Sequence, residues 1–180
     1  KDGYTWAAGA AQDLGTYKVL GMLDTTIGDW ALFLNVANVS TLAVNPNSPY
    51  KTAADFIAAL KAKPGQVSVA TAGVNSSGHS AMEAIAKATG TKYKLVTYDG
   101  GNPAVVATVA GETEATTQLT VEEAEMIRGK RLRALAVIGD QPVELDGYGT
   151  IEPLSKTLPG FKAPANYFGI FIPKSAPPEV

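Results

Sequence analysis

Two stretches of this chain carry the residue types that hold an anion. The first runs Thr71-Ala72-Gly73-Val74-Asn75-Ser76-Ser77-Gly78-His79, and the second Asp99-Gly100-Gly101-Asn102-Pro103. Each falls between a β-prone run and a helical one, and both are built mainly of small residues. Backbone N–H groups at a helix start, left uncovered by small side chains, meet the requirement for binding a carboxylate or phosphate. The candidate binding residues are therefore Asn75, Ser76, Ser77, Gly78, His79, Gly100, Gly101 and Asn102. A plainer reading stands beside this one: Ser and Asn cap helices, and Gly permits turns. For either loop alone the plainer reading is stronger. Two such loops at the carboxyl ends of neighbouring strands bring the two level, because ligands of open α/β sheets bind there.

Catalytic chemistry finds less support. His79 is the single histidine and the chain has no cysteine, so a metal cage would need carboxylates that do not cluster in the sequence. Ser77 and His79 stand two apart at a helix start and do not face each other as nucleophile and base. There is no G-x-S-x-G elbow, no G-x-x-x-x-G-K-[ST] loop and no strand-linked G-x-G-x-x-G. His79 reads as a hydrogen-bonding residue of the helix start. Glu122, Glu123 and Glu125 read as a solvated helix face with a favourable dipole interaction. The expectation is a binding protein with no catalytic residues, no cofactor and no metal.

The elements that must position these loops follow from periodicity and breakers. Thr52 caps a helix with Phe56, Ile57 and Leu60 on one face, stopped by Pro64-Gly65. Val67 to Ala70 is a strand, Ala81 to Thr89 a helix ending at Gly90, and Tyr93 to Tyr98 a strand. Asn102-Pro103 has the cap-then-proline form of a helix start, with that helix running to Ala110. Ala115 to Leu119 is a strand, Thr120 to Glu123 a capping box opening a helix, and Leu132 to Ile138 a further strand. Leu32 to Val44, interrupted at Asn38-Val39-Ser40, gives two strands or a bent one. This alternation predicts an α/β fold with a largely parallel sheet. From Gly139 to Ala165 a winding connection with at most one short helix is expected, followed by a strand over Tyr167 to Ile172. With 46% apolar residues the chain can bury a core, and its net charge of −2 without a basic patch argues against nucleic acid. No apolar run of 18 residues occurs, so no membrane span is expected.

Several segments, in order, resemble the substrate-binding proteins of tripartite tricarboxylate transporters, the TctC or Bug family. Asp2-Gly3-Tyr4-Thr5 is similar to that family's "PDGYT", and Val44-Asn45-Pro46 with Lys51-Thr52 to "VNPS…KT". Lys61 to Gly65 resembles "KAKPG", Ala72 to His79 "AGxGSxSH", Tyr98 to Pro103 "YKGGAP", and Leu132 to Val137 "LRALAV". Leu158-Pro159-Gly160-Phe161 and Phe168-Gly169-Ile170-Phe171 complete the series. The resemblance implies a two-lobed periplasmic-binding-protein fold of type II (a Venus flytrap). It implies a small organic acid held between the lobes and membrane transporter subunits as partners. It also implies a periplasmic location, with a signal peptide in an N-terminal part this chain lacks. On this reading the chain is a fragment: residues 1–29 belong to lobe 1 and a crossing strand, 30–165 form a nearly complete lobe 2, and 166–180 return into lobe 1. Tyr4–Ala8 and Tyr167–Ile172 should then pair antiparallel, leaving Trp6 and Phe171 unusually exposed. Gln118 stands where the family has the Asp of its "FDN" segment and joins the candidate ligand-binding residues. Asp99 stands where "YKGG" has a lysine, which favours a monocarboxylate or an amine-bearing ligand. A second reading, from another class, is an effector-binding regulatory domain of a transcription factor, which can share this fold.

Overall fold

Thr52 turns an extended segment into a helix through a reciprocal pair of bonds. In the computed structural model, which describes residues 6–164 and 166–177, Asp55 N–H donates to Thr52 Oγ1 at 3.1 Å and Thr52 N–H donates to Asp55 Oδ2 at 2.9 Å. The same local logic sets the remaining elements. They are β1 (Ala7–Ala10), α1 (Ala11–Thr16), β2 (Trp30–Ala37), β3 (Ser40–Val44), α2 (Ala53–Ala62), β4 (Ser68–Thr71), α3 (Ser77–Thr89) and β5 (Lys94–Thr97). There follow α4 (Gly101–Ala110), β6 (Ala115–Leu119), α5 (Thr120–Arg128), β7 (Arg133–Ile138), β8 (Val143–Leu145), β9 (Gly149–Ile151) and β10 (Tyr167–Pro173). Helix α3 stops at Gly90, whose φ of 65° reverses the chain at no steric cost. The connection after β7 also holds the β8–β9 hairpin, which its many breakers concealed. The Asp146-Gly147 pair is the turn signal for it.

The chain divides into two compact units, residues 39–164 and residues 1–38 with 165–180. In the larger unit five strands pair in the order β5-β4-β6-β3-β7. β4 is parallel to both β5 and β6, whereas β3 runs antiparallel to β6 and β7. The sheet is therefore mixed where a largely parallel one was expected. β3 runs against the other four strands although helix α2 joins it to β4. All five β3 residues are buried. Their alternation feeds two cores. Leu42 and Val44 join Phe56, Leu60, Met82 and Ile85 from α2 and α3. Ala43 joins Val105, Ala124 and Ile127 from α4 and α5. Helices thus cover both faces. The chain moves outward from β4 to β5 through α3, then back past β4 to β6 through α4. The carboxyl ends of β4 and β6 consequently flank a topological switch point.

In the smaller unit β10 is the central strand of a β1-β10-β2 antiparallel sheet. Ala7 pairs with Phe171 and Ala10 with Phe168; Tyr4 and Thr5 of the expected pairing lie outside the described residues. β2 pairs with β10 along its length, so it belongs to this unit, and the larger one begins at Val39 rather than at residue 30. Trp6 is 55% exposed, but Phe171 is only 2% exposed. The second value corrects the expectation of exposure for both rings. Phe171 sits on the middle strand, and its ring edge comes within 3.9 Å of where a Cβ on Gly9 would stand.

The β10–β2 register shifts between Phe168 and Gly169. There a Cβ on residue 169 would overlap the Phe33 carbonyl and lie 2.9 Å from Leu34 Cα. Gly169→Ala is expected to cost about 1–3 kcal/mol by forcing these strands apart. Hydrogen exchange should accelerate across 30–37 and 167–173 while protection over 68–71 and 115–119 holds. Unchanged exchange in β2 and β10 would refute the close packing.

Candidate functional site

β4 ends at the fully buried Thr71, and the chain turns through Asn75, which adopts a left-handed φ of 65° that asparagine tolerates better than most residues. Ser76 then caps α3, its Oγ accepting the His79 N–H at 3.2 Å. Because of this cap the helix starts at Ser77, four residues before the expected Ala81. Asn75 N–H donates to His79 Nδ1 at 3.0 Å, so the neutral ring carries its proton on Nε2, 3.6 Å from Glu83 Oε1. Nδ1 is thereby engaged in the helix start. Gly78 is buried, and a Cβ there would overlap the Thr117 carbonyl and stand 3.0 Å from Gln118 Nε2. Thr117 Oγ1 donates back to Gly78 O at 2.8 Å. The first turn of α3 rests directly on the end of β6.

β5 leads into α4 through Gly100, whose φ of 108° makes it the cap residue. The helix therefore begins at Gly101, and Asn102 is an exposed residue of its first turn rather than its cap. Asp99 is exposed. Gly101 is buried for a reason the sequence reading did not contain. A Cβ there would overlap the carboxylate of Glu122 from α5. The start of α4 is packed against one of the chain's own acids.

β6 leads into α5, where the expected capping box is only half present. Leu119 is the cap position, and its N–H donates to Glu122 Oε2 at 3.3 Å. The Thr120 hydroxyl turns instead to β3, donating to Val39 O at 3.0 Å and sharing a 2.8 Å bond with Thr41 Oγ1. Of the three glutamates read as a solvated face, only Glu125 is exposed; Glu122 is half-buried and Glu123 is fully buried. Glu123 Oε1 accepts Gln118 N–H at 3.0 Å. Burial pushes its carboxyl well above the usual range, against the Gln118 bond and with help from the nearby Glu122 charge. Burial also raises Glu122, opposed by its Leu119 bond. The signal for Glu123 lay in spacing: Thr120, Glu123, Ala124 and Ile127 form one i, i+3, i+4, i+7 stripe, and all four are buried. Gln118 is 2% exposed. Its Nε2 and the Oε2 of Glu123 are buried without a hydrogen-bond partner.

The starts of α3, α4 and α5 thus follow the carboxyl ends of three strands adjacent in the order β5-β4-β6. The structure brings Gly78 next to Gln118, and Gly101 next to Glu122. Among the described residues no group of three or more His, Cys, Asp or Glu side chains could hold a metal ion. Positive potential here comes from backbone N–H groups, since residues 71–79, 98–103 and 115–123 contain neither Lys nor Arg.

A folded-state acid with a raised pKa keeps its proton at pH values where the unfolded chain has released it. Stability therefore falls as pH climbs from the ordinary glutamate value of 4.5 toward the raised one. Glu123→Gln keeps an oxygen for the Gln118 N–H and removes that loss. It is expected to match or exceed the native stability at neutral pH, with a flatter profile between about pH 5 and 8 in urea denaturation. A native profile no steeper than the variant's would mean that Glu123 is ionised in the fold.

Residues 1–180 match the tripartite tricarboxylate transporter family receptor, TctC. Protein BugT of Bordetella pertussis is 30% identical over 140 residues, covering 77% of this chain and 42% of that protein. A TctC solute binding protein from Polaromonas superposes with a TM-score of 0.74 at 26% identity, over 99% of this chain and 60% of its own. MatC from Rhodopseudomonas palustris, solved with bound malate, gives a TM-score of 0.83 over 98% of this chain and 60% of its own. At 18% identity it is a likeness of fold alone. The chain therefore spans well under two thirds of each of these relatives. It belongs to the TctC family of tripartite tricarboxylate transporter receptors and has the α/β fold of their periplasmic solute-binding proteins.

Proposed function

We propose that this protein is an extracytoplasmic solute-binding receptor that holds a small carboxylate-bearing metabolite for the membrane subunits of a tripartite-type transporter. The observation that carries this reading is the start of α3 at the switch point. It presents a capped helix N-terminus beside Gln118, with small residues around it and no side-chain cation nearby. A carboxylate there would take backbone N–H groups of the Ser76–His79 turn. The Ser76 hydroxyl accepts from His79 N–H yet keeps its own proton to donate, and the Ser77 hydroxyl is a further candidate donor. The Gly100–Asn102 turn is the lesser partner, because Glu122 already lies against Gly101. No helix among the described residues is long and apolar enough to cross a membrane.

A thermal-shift panel of mono-, di- and tricarboxylates on the full-length protein tests the reading. A true ligand at about a hundred times its Kd should add about 2.7 kcal/mol of stability, a clear rise in Tm. Ser77→Ala should weaken that ligand by about 1–3 kcal/mol, the range for losing a hydrogen bond to a charged group. Full affinity in the variant would remove Ser77 from the site, and a panel without any shift would count against carboxylate capture itself.

A further inference from the structure

The acids of this site are harder to explain than its helix starts. The three strand-end segments carry Asp99, Glu122 and Glu123, no Lys or Arg, and one histidine whose Nδ1 already accepts the Asn75 N–H. Glu123 is fully buried and Asp99 is exposed. That leaves Glu122, half-buried against the first turn of α4, as the carboxylate a bound molecule can meet in a partly desolvated place. Only its Oε2 takes a hydrogen bond, from Leu119 N–H; Oε1 has none among the described residues. A ligand with two carboxylates would set one of them at the α3 start and bring the other toward this charge, where like charges repel.

Resting on the carboxylate-binding reading above, we propose that the ligand's second group is an ammonium received by Glu122. The protein then selects an amino carboxylate over a dicarboxylate of equal length. Two atoms fit that molecule. Gln118 Nε2, a buried donor without a partner, stands against the first turn of α3 where the carboxylate would lie. Glu122 Oε1 is the acceptor left without a hydrogen bond on the first turn of α5. One unpaired donor and one unpaired acceptor match a ligand that brings one acceptor group and one donor group. A dicarboxylate would satisfy the first and leave the second unmet.

Matched pairs of equal chain length make the test: succinate against β-alanine, glutarate against γ-aminobutyrate, and adipate against δ-aminovalerate. Each is titrated calorimetrically into the full-length protein. At the length that binds, the amino carboxylate should be preferred by about tenfold or more, equivalent to about 1.4 kcal/mol. Glu122→Gln should shrink that preference while raising dicarboxylate affinity, and Glu125→Gln, on the exposed side of the same helix, should leave it unchanged. A native preference for the dicarboxylate would overturn the proposal without touching carboxylate capture. So would an unchanged ratio in a folded Glu122→Gln variant. If no member of any pair binds, the carboxylate reading fails and takes the proposal with it.

Discussion

The first turn of α3 approaches the end of β6 so closely that residue 78 can carry no Cβ without displacing the Thr117 carbonyl. This contact fixes the height of the helix start over the sheet, and the rest of the crevice follows from it. With α3 held down by the Thr117-to-Gly78 bond, Gln118 is trapped beneath the turn. With Gln118 in place, its N–H faces α5 and is met by Glu123. Steric exclusion at one backbone position thus aligns two helix starts over β6. Gly101 serves a similar end at α4, where the absent side chain leaves space for an acid from the neighbouring helix.

A polar layer accompanies this arrangement inside an otherwise apolar fold. Thr41, Thr108, Thr113, Thr116 and Thr117 are all buried. Their hydroxyls are satisfied locally: Thr116 donates to Ala70 O at 3.2 Å, and Thr108 and Thr113 share a 2.7 Å bond. Threonine suits the role because it fills a strand like valine yet brings its own donor. Beside these satisfied threonines, Gln118 and Glu123 each keep one buried atom without a partner, as Thr25, Trp30 and Ser48 do elsewhere. Buried groups of that kind cost stability.

Local chemistry in the sequence was a good guide to helix α2, to the end of α3 at Gly90 and to the turns that follow β4 and β5. The collinear motifs, which no single element explains, pointed to the family. What stayed hidden was tertiary. Asn102-Pro103 looks like a cap and proline, but Gly100 can turn the chain earlier and does so. Thr120 looks like a cap, but β3 offers its hydroxyl a better partner. Glu123 has a charged side chain on an apolar stripe, and composition outweighed spacing in the reading of it. The direction of β3 and the cover over Phe171 depend on which strands lie on either side, and periodicity does not reveal that.

The place of β3 bears on how such a chain is made. Its two neighbours, β6 and β7, lie far downstream at residues 115–119 and 133–138, while β4, β5 and the helices between them can meet soon after synthesis. On a ribosome the apolar run Leu42-Ala43-Val44 emerges long before either flanking strand exists. At ordinary elongation rates that interval is roughly 4–15 s. Pairing of the sheet's earliest strand thus has to wait for strands made later, a non-local contact of the kind that slows folding.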